Sequence, residues 1–210
     1  MIQTKRSFTD GSWSEGGRLF GGEFQRISKE CRAQTKINGE VTVELDIKSC
    51  HPTMAFAQVG IDWYGSKTDD IYDLPSEYWH REVIKKAFNI MLNAKSRNTA
   101  KRALNNLSLN ELTFDRGFFV KRSGWAGELV LFVESAYPEL SNIFYGGYGG
   151  SFMRNEGDIC LYVIEKCLEA DIPVLTLHDS FICPIRHKEF VVDLVREAFL
   201  EVVGVSCVIK

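Results

Sequence analysis

Asp46 and Asp179 each stand where an apolar run gives way to polar residues. Asp46 closes "GEVTVELD" (39–46), and Asp179 lies inside "VLTLHDSFICP" (174–184), between short apolar runs bounded by Pro173 and Pro184. Val, Ile, Leu, Thr and Phe at this density predict two short strands, with His178, Asp179 and Ser180 at the tip of a tight hairpin. Asp and Ser are ordinary turn residues, so a solvated turn accounts for the triplet taken alone. A chemical role opens if the strand over 41–46 pairs beside the hairpin, because both carboxylates then converge at one sheet edge. Two convergent carboxylates are what two-metal phosphoryl transfer requires, since ions ~3.5–4 Å apart clamp the attacking and leaving oxygens of an in-line displacement. Oxygen ligands completed by water and phosphate suit Mg2+.

A second pattern lies in "HREVIKKAFNIMLNA" (80–94), where Arg81, Lys85, Asn89 and Asn93 recur every fourth residue and share one helix face. Val83, Ile84, Ala87, Phe88, Met91 and Leu92 cover the apolar side. Such a polar stripe is explained equally by solvation. Arg and Lys one turn apart, followed by two amides, would also grip a triphosphate and then face its sugar and base.

Charge distribution bears on the same choice. The net charge of −3 argues against coating nucleic acid by bulk electrostatics. From His80 to Arg102 there are seven Lys or Arg and one acid, Glu82, whereas Asn155 to Lys210 carries ten acids and five bases. A basic stripe and an acidic segment in one chain fit phosphates held near a carboxylate metal site. The six cysteines form no CxxC pair and lie mostly in apolar contexts, which predicts reduced, buried thiols. No apolar run approaches the ~20 residues of a membrane helix. The beginning "MIQTKRSFTDGSW" has no apolar leader core, so the expectation is a cytoplasmic protein with no membrane partner.

The positioning elements follow from period and punctuation. Residues 1–40 are Gly-rich and basic, with a short β-ribbon around "EGGRLFGGEFQR". The strand over 41–46 alternates Val41, Val43 and Leu45 inward with Thr42, Glu44 and Asp46 outward. "HPTMAFAQVG" predicts a short helix with Pro52 in its first turn and Gly60 at its end. A long helix is expected from Ser76 to Asn93 and, after a break, to Asn105. Another spans "SGWAGELVLFVESAYPEL", then a Gly-Tyr loop "FYGGYGGSF", then an amphipathic helix in "EGDICLYVIEKCLEADIP". After the hairpin come a helix from Lys188 to Val202 and a final strand "VSCVIK". The order predicts an α+β fold, a small antiparallel sheet backed by helices.

Taken together, these residues resemble the palm and nucleotide-binding helix of family A DNA polymerases (the DNA polymerase I class), which are related to single-subunit phage-type RNA polymerases. "VELDIKSCHP" is similar to motif A, the strand ending in a metal-binding Asp. Arg81, Lys85, Asn89 and Asn93-Ala94 follow the spacing of motif B, and "LTLHDSFI" resembles the His-Asp-Ser form of motif C. The helix opening with "RNEGDI" resembles the one that precedes motif C. The resemblance covers roughly residues 15 to 210. It implies one polymerase-like domain: a basic lead-in (1–40), a palm (41–60 and 150–210) and a minimal helical fingers lobe (70–145). Motif B lacks its Tyr-Gly end, and His51, five residues after Asp46, stands where the DNA enzymes carry Glu.

Under the resemblance, Asp46 and Asp179 hold two Mg2+ ions (Mn2+ as a substitute), with the Ile47 carbonyl as an extra ligand. Arg81 and Lys85 neutralise the triphosphate, with His80 as a weaker contact, and Asn89 and Asn93 face the nucleotide. His51 gates the sugar. His178 and Ser180 position the primer terminus, while Arg18, Gln25, Arg32, Arg154 and Asn155 reach the duplex. The implied activity is DNA synthesis on a primer–template from nucleoside triphosphates, by a compact enzyme of a phage or mobile element working with accessory replication proteins. An RNA polymerase or primase, a two-metal nuclease and a catalytically degenerate palm acting as a nucleic-acid-binding module remain as alternatives.

Overall fold

The hairpin expected over 174–184 forms, and the strand ending in Asp46 lies directly against it. In the computed structural model, which describes residues 4–9, 11–66, 70–108, 113–114, 117–118 and 122–210, the chain begins with ribbon strands β1 (Lys5–Phe8) and β2 (Gly16–Phe20). A helical turn α1 (Lys29–Arg32) leads to β3 (Lys36–Ile37), β4 (Glu40–Asp46), α2 (Cys50–Ala57) and α3 (Trp63–Ser66). Then come α4 (Arg81–Asn93), α5 (Arg97–Asn105), the short strands β5 (Thr113–Phe114) and β6 (Gly117–Phe118), and α6 (Trp125–Ala136). The chain closes with α7 (Gly149–Glu169), β7 (Leu175–Leu177), β8 (Ser180–Pro184) and α8 (Lys188–Val203). The fold is α+β, with small antiparallel sheets and backing helices. The fingers lobe expected over 70–145 falls partly on residues 109–112, 115–116 and 119–121, outside the described set.

The chain divides into two compact units. The first comprises Met1–Cys50, Asp62–Ser66 and Gly150–Lys210. Its four-stranded sheet has the order β3-β4-β8-β7, antiparallel throughout. β4 and β8 pair from Thr42↔Pro184 to Asp46↔Ser180, and β7 joins β8 with Leu177↔Ser180, which leaves His178 and Asp179 as a two-residue loop. Such loops need positive φ at the first or both central positions, and His178 supplies it at φ 55. Every residue of β8 is buried, and Val191, Val195, Ala198 and Phe199 of α8 and Ile159, Val163 and Cys167 of α7 join it in the core. The second unit, His51–Ile61 with Lys67–Gly149, packs α4, α5 and α6 together. At its centre the Phe88 ring meets Tyr72, Tyr137 and Phe144 edge-on at 5.3–6.0 Å.

Several expectations are corrected. The long helix starts at Arg81, because the Ser76 hydroxyl accepts from the Tyr78 and Trp79 N–H groups at 3.1 and 2.9 Å and so closes a separate turn ahead of it. Helix α7 begins at Gly149 and takes in the last part of the expected Gly-Tyr loop, Gly149 to Phe152; a side chain at Gly149 would collide with the Asn93 amide. β4 does not alternate cleanly: Val41 is 57% exposed while Thr42 is buried with its hydroxyl donating to the Thr35 carbonyl at 2.8 Å. As an interior strand, β4 is half-covered on both faces, which dilutes the period-two signal. The final strand is reduced to one bridge, Ile47↔Ile209. Five of the six cysteines are buried, and Cys31 is exposed.

Gly157 explains how the ribbon seats on α7. A Cβ there would overlap the Gly17 carbonyl oxygen, so the helix and β2 approach at backbone distance. Arg6 fixes the approach, its Nε donating to the Gly17 carbonyl at 2.7 Å and its Nη1 to Asp158 at 2.9 Å. Gly157→Ala should therefore lower unfolding stability in urea by about 1–3 kcal/mol through overpacking, despite the ~1 kcal/mol helix preference for alanine. A neutral or stabilising result would contradict the close approach.

Candidate active site

The β4–β8 register sets the geometry of the first unit's polar centre. Because Asp46 faces Ser180, the Ile47 N–H donates to the Asp179 carbonyl at 3.0 Å, and the backbones carrying the two aspartates lie side by side. Both residues line a cavity of about 430 Å3, together with Lys29, Arg32, Glu44, Leu177, His178, Ser180 and Lys210.

Their side chains have different partners. One oxygen of Asp46 accepts the Ser180 hydroxyl at 2.9 Å, and the other faces the Lys210 ammonium at 3.0 Å. Asp179 instead gathers with Glu156 of α7 and Cys50, the three donor atoms lying within 4.8 Å of one another. Glu156 is 2% exposed and forms an ion pair with Arg18 of β2. The second carboxylate beside Asp179 is thus Glu156, which the sequence-based site did not contain.

The electrostatics favour oxygen over sulfur as donor here. Burial, reinforced by Glu156 and Asp179, pushes the Cys50 thiol well up, and the same causes push Cys160 up to about 12. A neutral thiol is a poor partner for a hard cation, whereas aspartate and glutamate oxygens suit Mg2+. Burial acts to lower the Arg18 pKa, but the hydrogen bond and charge of Glu156, with Asp179 beyond, outweigh it and hold the guanidinium charged. Burial also pushes His178 below its ordinary value, Arg18 adds to the shift, and Glu156 opposes it. The His178 Nδ1 is buried without a hydrogen-bond partner, and its ring meets Phe20 edge-on at 5.9 Å. Its carbonyl accepts from the Cys160 thiol at 3.1 Å, which ties the turn to α7.

The remaining first-unit candidates are largely committed to protein contacts. Gln25 donates to the Leu19 and Thr176 carbonyls at 3.1 and 3.0 Å, stitching β2 to the edge strand β7. Arg32 forms a two-pronged pair with Glu44 at 3.2 and 3.1 Å. Arg154 pairs with Asp158 at 2.8 Å and donates to the Trp13 carbonyl. Asn155 is half-buried on α7 beside Glu156. The Ser180 hydroxyl is spent on Asp46, so in this state it orients that carboxylate.

In the second unit, α4 buries Val83, Ile84, Ala87, Phe88, Met91 and Leu92, as the spacing predicts. Lys85, Asn89 and Arg81 are half-buried and Asn93 is exposed. Arg81 is held by Asp70 at 2.7 and 3.0 Å and by Glu82, with its guanidinium 5.3 Å from the Tyr72 ring centroid. The Lys85 ammonium lies 6.0 Å from the same centroid. Asn93 donates back to the Asn89 carbonyl at 2.7 Å. His80 occupies the exposed N-cap position of α4, and His51 is half-buried in the first turn of α2.

Glu156 had a readable signal. Phe152, Glu156, Ile159, Val163 and Cys167 share one stripe of α7, and an acid on an apolar stripe demands a buried partner. Lys210 had none, because its place beside Asp46 comes from tertiary pairing alone. No helix among the described residues is long and apolar enough to cross a membrane. The chain matches no protein-family model, and comparison with curated proteins finds no match either.

The His178 environment predicts a pH dependence. Its folded-state pKa is depressed, so the neutral form is favoured by folding; that stability is present above the unfolded value near 6.5 and is lost as pH falls through the folded-state value. His178→Asn keeps a residue tolerant of positive φ and removes the titration. Urea unfolding across this acidic window should show a shallower loss of stability for His178→Asn than for the wild type. Equal slopes would contradict the assignment.

Proposed function

We propose that the chain is a template-directed nucleotidyltransferase that extends a primer on DNA with deoxynucleoside triphosphates. The observation that carries this reading is the β4–β8 register, which sets the backbones of Asp46 and Asp179 side by side in the lining of one cavity. The order of the three polymerase-like motifs supports it. Mg2+ bound at these oxygens would supply charge neutralisation for phosphate groups. Asp46, oriented by Ser180, and Asp179, with Glu156 beside it, would be its holders, and Mn2+ would substitute. His178, whose neutral form burial favours, shapes the turn and the cavity wall.

Triphosphate binding falls first to Lys85, since Arg81 must exchange Asp70 and Glu82 for phosphate before it can take part. Phosphoryl transfer needs mainly positioning and charge neutralisation, which are the roles this reading gives to the aspartates and to Lys85. His51 serves as the sugar gate, which favours deoxynucleotides on sterics. A ribonucleotide-polymerising reading is favoured by the His-Asp-Ser form of residues 178–180, while Asn93, where the resembled polymerases carry tyrosine, would leave the gate leaky. The setting we infer is cytoplasmic replication of a phage or mobile element, with DNA primer–template and accessory replication proteins as partners.

Asp46→Asn and Asp179→Asn should each abolish primer extension while circular dichroism stays that of the wild type. Lys85→Ala should lose about 2–4 kcal/mol of transition-state stabilisation in kcat/KM and leave primer–template affinity nearly unchanged. Near wild-type extension by either aspartate variant would overturn the metal assignment, and a Lys85 effect confined to primer–template affinity would move α4 to backbone binding.

A further inference from the structure

The Lys210 ammonium sits 3.0 Å from one oxygen of Asp46, whose other oxygen accepts the Ser180 hydroxyl. The contact is built by the backbone. Asp46 and Lys210 exchange both N–H···O bonds at 3.0 Å, and the Lys48 N–H donates to the Val208 carbonyl at 2.8 Å, so residues 208–210 run antiparallel beside the end of β4. Lys210 therefore stays next to Asp46 whether or not its side chain is engaged. That side chain is 58% exposed against 33% for Asp46, so the ammonium can swing into water without repacking the core.

We propose that Lys210 is a built-in counter-ion that competes with a divalent cation for Asp46. A carboxylate oxygen offers two lone pairs, so the Ser180 hydroxyl can remain on its oxygen when a cation arrives. The ammonium is driven off, because a divalent cation at the same carboxylate repels a second positive charge held 3.0 Å from its oxygen. Without the metal, Lys210 and the Ser180 hydroxyl hold Asp46 oriented, one on each oxygen. With the metal, the tethered ammonium is released at the mouth of a cavity also lined by Lys29 and Arg32, where an anionic substrate would meet it. The site thus exchanges one internal cation for an external one, with a threshold in divalent concentration set by Lys210.

This inference rests on the reading of Asp46 as a metal ligand, and the experiment separates the two. Mn2+ is titrated into the protein of residues 1–210 and free aqueous Mn2+ is followed by electron paramagnetic resonance, with no substrate present. Lys210→Gln should bind Mn2+ about 1.5- to 5-fold more tightly than the wild type, the range expected for loss of a partly exposed ion pair. Lys210→Arg should stay near wild type. Asp46→Asn should weaken binding, and adding Lys210→Gln to it should restore nothing. Unchanged or weaker binding by Lys210→Gln, with Asp46→Asn still impaired, overturns the counter-ion role and leaves the metal reading standing. Wild-type binding by Asp46→Asn overturns both.

Discussion

The pairing of β4 with β8 is the constraint on which the polar centre depends. Five consecutive residue pairs from Thr42↔Pro184 to Asp46↔Ser180 fix which side chain meets which. A slip of one residue would send every side chain of β4 to the opposite face and part Asp46 from Ser180. The buried run of β8 resists that slip, since Phe181, Ile182 and Cys183 cannot be exposed without losing core area. The turn inherits this rigidity, which is why His178 can be held at positive φ with an unpaired ring nitrogen. Such local cost persists where surrounding structure over-determines it.

Charge balance around the turn is the second organising feature. Asp46, Asp179 and Glu156 bring three carboxylates to a region answered by Arg18 and Lys210. The two cations differ in kind. Arg18 is half-buried and paired with a buried Glu156, so removing either partner would strand the other in low dielectric. Lys210 is exposed and replaceable. The Arg18–Glu156 pair also anchors β2 to α7 beside the Gly17–Gly157 approach, so the ribbon belongs to the architecture of the site as well as to the surface.

Much of this arrangement was legible in the sequence where local rules govern. Pro173, Pro184 and the β-branched runs mark the hairpin, and the fourfold spacing in α4 predicts its buried face residue by residue. Tertiary context decided the rest. The burial of Thr42 depends on the Thr35 carbonyl, the start of α7 on an Asn93 amide that only glycine admits, and the Lys210 contact on pairing with a strand over 160 residues earlier. Arg32, Gln25 and Arg154 look like free polar side chains in one dimension. Their partners, Glu44, the Thr176 carbonyl and Asp158, become visible only in three.

The central claim is that this edge of the sheet supports metal-dependent nucleotide addition. The most direct measurement is extension of a labelled DNA primer–template by the wild-type protein, with Mg2+ present or chelated and the deoxy- and ribonucleoside triphosphates supplied as separate sets. The account predicts stepwise, template-matched extension with the deoxy set, abolished by chelation and restored by Mg2+ or Mn2+. A primer that stays unextended with both sets, or is shortened in place of being extended, would contradict it.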